Sequence, residues 1–102
     1  MLKMEFIDEL FVDKKIKDIE TVIYSLKKGI PVYNIYIIYI EEKNKNMAEI
    51  MSSFDFCKKE TESYRVIGLA SGKAGANKLF SSIIEFWISS GNELRDFKEG
   101  II

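Results

Sequence analysis

Histidine does not occur in the 102 residues, and cysteine and proline occur once each, as Cys57 and Pro31. Without histidine the chain has neither the commonest metal ligand nor the commonest general base. One cysteine cannot close an internal disulfide, so the fold must rest on its own apolar core. One proline and six glycines exclude a low-complexity linker. Excess charge is also missing. Fifteen basic residues against 16 acidic give a net charge of −1, which removes the basic surplus that nucleic-acid binders use against phosphate. No apolar run approaches the roughly 18 residues of a membrane span, and no apolar signal segment opens the sequence. The expectation is a cytoplasmic protein that does not enter membranes.

What is present is apolar and compact in character. The sequence is 47% hydrophobic, 30% charged and 13% aromatic, too apolar for a disordered tail and long enough for one domain. Thirteen of the 15 basic residues are lysine, and isoleucine occurs sixteen times. Lysine, isoleucine and asparagine have AT-rich codons, so this bias points to a low-GC bacterial genome.

Glu9 to Val12 (ELFV) has the composition of a short strand. Asp13 stands where a helix N-cap belongs, and Ile16, Ile19, Ile23 and Leu26 then recur at three- and four-residue spacing, one face of an amphipathic helix. Lys27 and Lys28 complement its negative end, Gly29 fits a left-handed C-cap, and Pro31 blocks continuation. Tyr33 to Glu41 (YNIYIIYIE) is a strand that is apolar on both faces, the mark of a central position with cover on each side. Asn46 with Glu49 reads as a capping box opening a second helix, with Met47, Ile50, Met51, Phe54 and Cys57 turned inward. Tyr64 to Ala70 (YRVIGLA) reads as a strand, Ser71 to Gly75 as a turn, and about Lys73 to Ser89 as a third helix. Residues 93–102 form a charged segment, a possible docking tail. The order predicts an α/β domain, βαβαβα, with a small, largely parallel sheet of three or four strands and helices packed on it.

Ligands in open parallel sheets sit beyond the carboxyl ends of the strands. That rule gathers Asp13, Glu41, Glu42 and the loop Ser71, Gly72, Lys73, Ala74, Gly75 as the candidate ligand site. Small residues let backbone approach a ligand, and a helix start offers free N–H groups to a phosphate or carboxylate. Ser71 and Lys73 add a hydroxyl and an ammonium. The alternative is a packing turn, in which the glycines only permit a sharp bend and Lys73 points into water. Gly68 to Ala74 (GLASGKA) is one residue short of a Walker loop and lacks its hydroxyl, so no nucleotide cofactor follows. GKAG also satisfies the G-x-x-G of KH domains, which clamp single-stranded RNA, but here the motif follows a strand and no basic patch surrounds it.

The remaining polar features read as structure. Cys57 falls on an apolar helix face beside Phe54, which suits an inert buried thiol. Glu41 and Glu42 are strand neighbours pointing to opposite faces, and Glu60 with Glu62 is solvated charge. Lys14, Lys15, Lys17, Lys27 and Lys28 decorate the first helix. No catalytic set and no metal set emerges. Phe86, Trp87 and Ile88 are three bulky apolar residues in succession and cannot all face one small sheet. With Phe97, Ile101 and Ile102 they suggest a self-association surface, so Phe86, Trp87, Phe97, Ile101 and Ile102 are the candidate interface and a homodimer is expected.

The run VIGLASGKAGANKLFSSII (Val66 to Ile84), the helix ending LKKG and the strand NIYIIYI together resemble small uncharacterised bacterial α/β proteins of low-GC genomes. The resemblance covers about Glu9 to Ile88. It implies the fold and carries no activity. The sequence therefore points to a binding or assembly module rather than an enzyme. Alternatives are a small-anion protein or enzyme using residues 71–75, and single-stranded RNA binding through GKAG.

Overall fold

A computed structural model describes residues 3–41, 48–58, 63–93 and 97. Expectations for Glu42, Asn46, Met47, Glu60, Glu62, Ile101 and Ile102 lie outside those residues, as does most of the proposed 93–102 tail.

Seven elements form a four-stranded mixed sheet with helices on both faces. They are β1 (Lys3–Val12), α1 (Ile19–Lys27), β2 (Ile35–Glu41), β3 (Glu49–Ser52), α2 (Ser53–Phe56), β4 (Ser63–Ser71) and α3 (Lys73–Ser89), with sheet order β1-β4-β2-β3. Only β1 and β4 are parallel; β2 is antiparallel to both β4 and β3. The expectation of a largely parallel βαβαβα sheet is corrected on both counts, since the order is βαββαβα. β2 starts at the end of the sheet where β1 finishes, with Ile35 beside Ser71, and runs back.

The start of α1 is also displaced from expectation. Its N-cap is Asp18, whose carboxylate accepts the Thr21 N–H at 3.2 Å and the Thr21 hydroxyl at 2.7 Å. Those two donors, the hydroxyl first, hold the Asp18 carboxyl below its ordinary range. Asp13 is engaged elsewhere, as described below. The end is as expected: Gly29 has φ +76°, its N–H donates to the Leu26 carbonyl, and the Ile30 N–H donates to the Ser25 carbonyl, a Schellman arrangement.

The segment expected to be a second long helix is instead the edge strand β3 followed by the single turn α2. Ile50, Met51 and Phe54 satisfy a helical spacing, but β2 has a free edge, and pairing Ile37 with Met51 and Ile38 with Ile50 fills it. Tertiary pairing overrides a short, ambiguous period. Ser52 caps α2 by accepting the Asp55 N–H at 3.2 Å.

Alternation in β2 separates two cores, as its sequence implied. Ile35, Ile37 and Tyr39 join Val22, Leu26, Phe56, Tyr64, Val66 and Leu69 beneath α1 and α2. Ile38 and Ile40 join Ile67, Ile83, Trp87 and Phe97 beneath α3. β4 carries Ile67 as one extra residue against β2, because Ile38 pairs with Gly68 and Tyr39 with Val66. β1 pairs through Phe6 with Val66 and resumes at Phe11 with Gly68, so residues 7–10 bulge from the ladder. No helix among the described residues is long and apolar enough to cross a membrane.

Candidate functional site

The carboxyl ends of β1 and β4 lie side by side, and the chain leaves both there. β4 turns into α3 through Gly72, whose φ of +77° and ψ of 156° belong to a region open essentially to glycine alone. Gly72 N–H donates to the Asn34 carbonyl at 2.7 Å, and the Asn34 side-chain amide donates to the Ser71 hydroxyl at 3.2 Å. Asn34 itself has φ +60°, a conformation asparagine tolerates better than most residues. Asn34 was missed in the sequence because the parallel reading put the start of β2 at the far end of the sheet.

Asp13 closes the turn from the other side. Its carboxylate accepts the Ser71 N–H at 3.1 Å and the Lys15 N–H at 3.1 Å. A Cβ built on Gly75 would stand 2.9 Å from Asp13 Oδ2, so the glycine exists in part to admit this carboxylate. A side chain fifty-eight residues away thus supplies the anion that the turn's backbone attracts.

Of the expected ligand residues, Asp13, Ser71, Gly72 and Gly75 meet. Lys73 is exposed at the start of α3 and does not border the cleft described next. Glu41 lies at the opposite end of the sheet, paired with Tyr64, six strand steps or about 20 Å from Ile35. The antiparallel course of β2 sends its carboxyl end away from Ser71. GKAG forms the cap and first turn of α3 rather than a loop between two helices.

Beside Asp13 an open cleft of about 470 Å³ separates the β1 end from α3, lined by Val12, Asp13, Lys14, Lys15, Gly75, Lys78, Leu79 and Ser82. Its volume falls within the roughly 300–1,000 Å³ of small-molecule sites. Most of the lining surface is hydrocarbon, contributed by Val12, Leu79 and the stems that lysines lay along apolar surface. The charged groups are three ammoniums and one carboxylate, and that carboxylate already accepts two backbone N–H bonds. The Ser82 hydroxyl donates to the Lys78 carbonyl at 3.1 Å. Lys14 and Lys15 had been assigned to the first helix. They stand here because that helix begins five residues later, at Ile19.

The candidate interface residues separate into two sets. Trp87 and Phe97 are buried in the core under α3, their rings edge to face at 5.7 Å, and the Trp87 indole N–H donates to the Glu93 carbonyl at 2.7 Å. Phe86 is 55% exposed and Ile88 51%. Phe86 meets Phe11 edge to face at 5.8 Å. Cys57 is half-buried, and burial pushes its thiol above the ordinary value, away from thiolate chemistry. Among the described residues no cluster of three acidic or thiol ligands is placed to hold a metal ion.

Comparison with protein-family models, with curated proteins and with solved structures finds no match to this chain.

Proposed function

We propose that the protein is a cytoplasmic binding domain for a small anion, and that the cleft between β1 and α3 is its site. One observation carries this reading: Lys14, Lys15 and Lys78 border a single cleft whose one carboxylate, Asp13, is turned to backbone amides. Three lysines against one carboxylate leave the cleft net positive, and that field attracts an anion. A thermal shift with inorganic phosphate and with acetate tests the site. A ligand at one hundred times its dissociation constant adds about 2.7 kcal/mol, so the melting temperature rises by several degrees, and the rise disappears in a Lys15→Ala/Lys78→Ala double variant. No rise with either anion, or a rise the double variant keeps, refutes the assignment.

A second reading, homodimer assembly, is favoured by the exposed pair Phe86 and Ile88. Native mass spectrometry separates the two readings: a dimer that reverts to monomer in Ile88→Ser supports assembly, and a monomer at micromolar concentration removes it.

A further inference from the structure

Phe86 stands one turn of α3 beyond the residues that line the cleft, against Phe11. Gly75, Leu79, Ser82 and Phe86 follow one another along α3 at steps of four, three and four residues, which places them in one stripe of the helix. The first three line the cleft, so the same stripe leads out of it onto Phe86. On the facing element, Val12 lines the cleft and Phe11 precedes it in β1, touching Phe86 edge to face. Lys14 and Lys15 border the cleft from the β1 side and Lys78 from α3, and one turn beyond Ser82 stands Phe86, 55% exposed. From Lys78 to Phe86 is eight residues of helix, about 12 Å.

We infer that the ligand of this cleft is an amphipathic anion, an acyl or alkyl chain of medium length with a carboxylate or phosphate head, its head held at Lys14, Lys15 and Lys78 and its tail laid along Leu79 to Phe86. The inference rests on the anion reading proposed above and adds the apolar half of the ligand. A bare inorganic anion would leave the hydrocarbon lining and the exposed ring uncovered. A neutral lipid would leave three ammoniums without a counter-charge. An amphipathic anion satisfies both ends.

Binding of acetate, octanoate, methyl phosphate, octyl phosphate and neutral octanol, each below its micelle concentration, tests the inference by calorimetry on the full chain. Each methylene that leaves water against the stripe tightens binding by about two- to fourfold, so the octyl anions bind at least about sixtyfold tighter than their one- or two-carbon counterparts, and octanol binds far more weakly than either. Phe86→Ala, a change at an exposed position, removes most of the chain-length gain and leaves the short anions unaffected. Amide shifts on binding map to Val12, Leu79 and Phe86. Equal binding of short and long anions, or a chain-length gain that Phe86→Ala leaves intact, overturns the amphipathic ligand while the anion site stands. Failure of every anion, or binding that Lys15→Ala/Lys78→Ala does not weaken, overturns the anion site itself. The carboxylate and phosphate pairs, compared with each other, identify the head group.

Discussion

Asp13 and Gly75 show how one residue's identity can be fixed by another far along the chain. The carboxylate is held by the Ser71 and Lys15 amides, so it is not a loose side-chain end that can step aside for a methyl group. Replacing glycine by alanine in a helix ordinarily gains about 1 kcal/mol. At Gly75 the new Cβ would meet Oδ2 at 2.9 Å, and Gly75→Ala is expected to cost about 1–2 kcal/mol instead. In an Asp13→Ala background the same substitution stabilises, so the sign reverses. Urea denaturation of the four proteins of this cycle measures the coupling, and additive effects would show that the carboxylate yields without strain. In the sequence, Asp13 before an apolar period has the look of a helix cap. Asp18 precedes the same period, and local pattern does not choose between them. The choice is made by the Ser71 N–H, which no local reading of residues 13–18 contains.

Among the elements, α3 was readable to its ends, because a 17-residue segment gives its period room to declare itself and Gly72 opens it. β2 and β4 were readable because both of their faces are apolar. The stretch 49–57 was not. Four residues of strand followed by four of helix contain no complete period of either kind, and what decides them is the free edge of β2. Ser53 is the residue that makes this junction work. It is fully buried, its hydroxyl accepts the Val32 N–H at 3.0 Å and donates to the Val32 carbonyl at 2.6 Å, and it thereby pins the segment before β2 to the start of α2. Ser53→Ala leaves the Val32 N–H without its acceptor, while the carbonyl keeps the Ile35 N–H at 3.2 Å, and is expected to cost about 1–2 kcal/mol. Chemical denaturation reads the loss, and a change below about 0.5 kcal/mol would mean that water takes the place of the hydroxyl.

At the scale of the molecule, a single wrong assumption about strand direction moved Glu41 into the site and left Asn34 out. Direction is not written in the residues of β2; it shows only in the long-range pairing of Ile35 with Ser71. The two-sided core that results gives the protein a definite response to pH. Tyr39 lies between Phe56 and Tyr64, with ring centroids 5.0 and 5.5 Å away, and its hydroxyl donates to Glu49 at 2.8 Å. Burial above all, and then the bond to Glu49, push its ionisation well above the tyrosine range. The unfolded chain ionises near pH 10 while the folded chain keeps the proton. Stability from this group is therefore intact below about pH 10 and lost as pH rises beyond it. Denaturation midpoints followed from neutral to alkaline pH should fall more steeply above 10 in the native sequence than in Tyr39→Phe. Parallel curves would remove Tyr39 as the cause.

The pairing of β1 with β4 also sets a timetable for synthesis. Lys3 is matched to Ser63 and Val12 to Leu69, so β1 has no neighbour in the growing chain until some sixty residues have followed it. The β2–β3 pair, by contrast, closes within residues 35–52. Translation proceeds at roughly 5–20 residues per second, and for those several seconds Phe6, Leu10 and Phe11 travel uncovered. A nascent chain stalled before residue 63 holds the β2–β3 pair and an unclaimed β1, which leaves β1 exposed to holding chaperones until β4 is made.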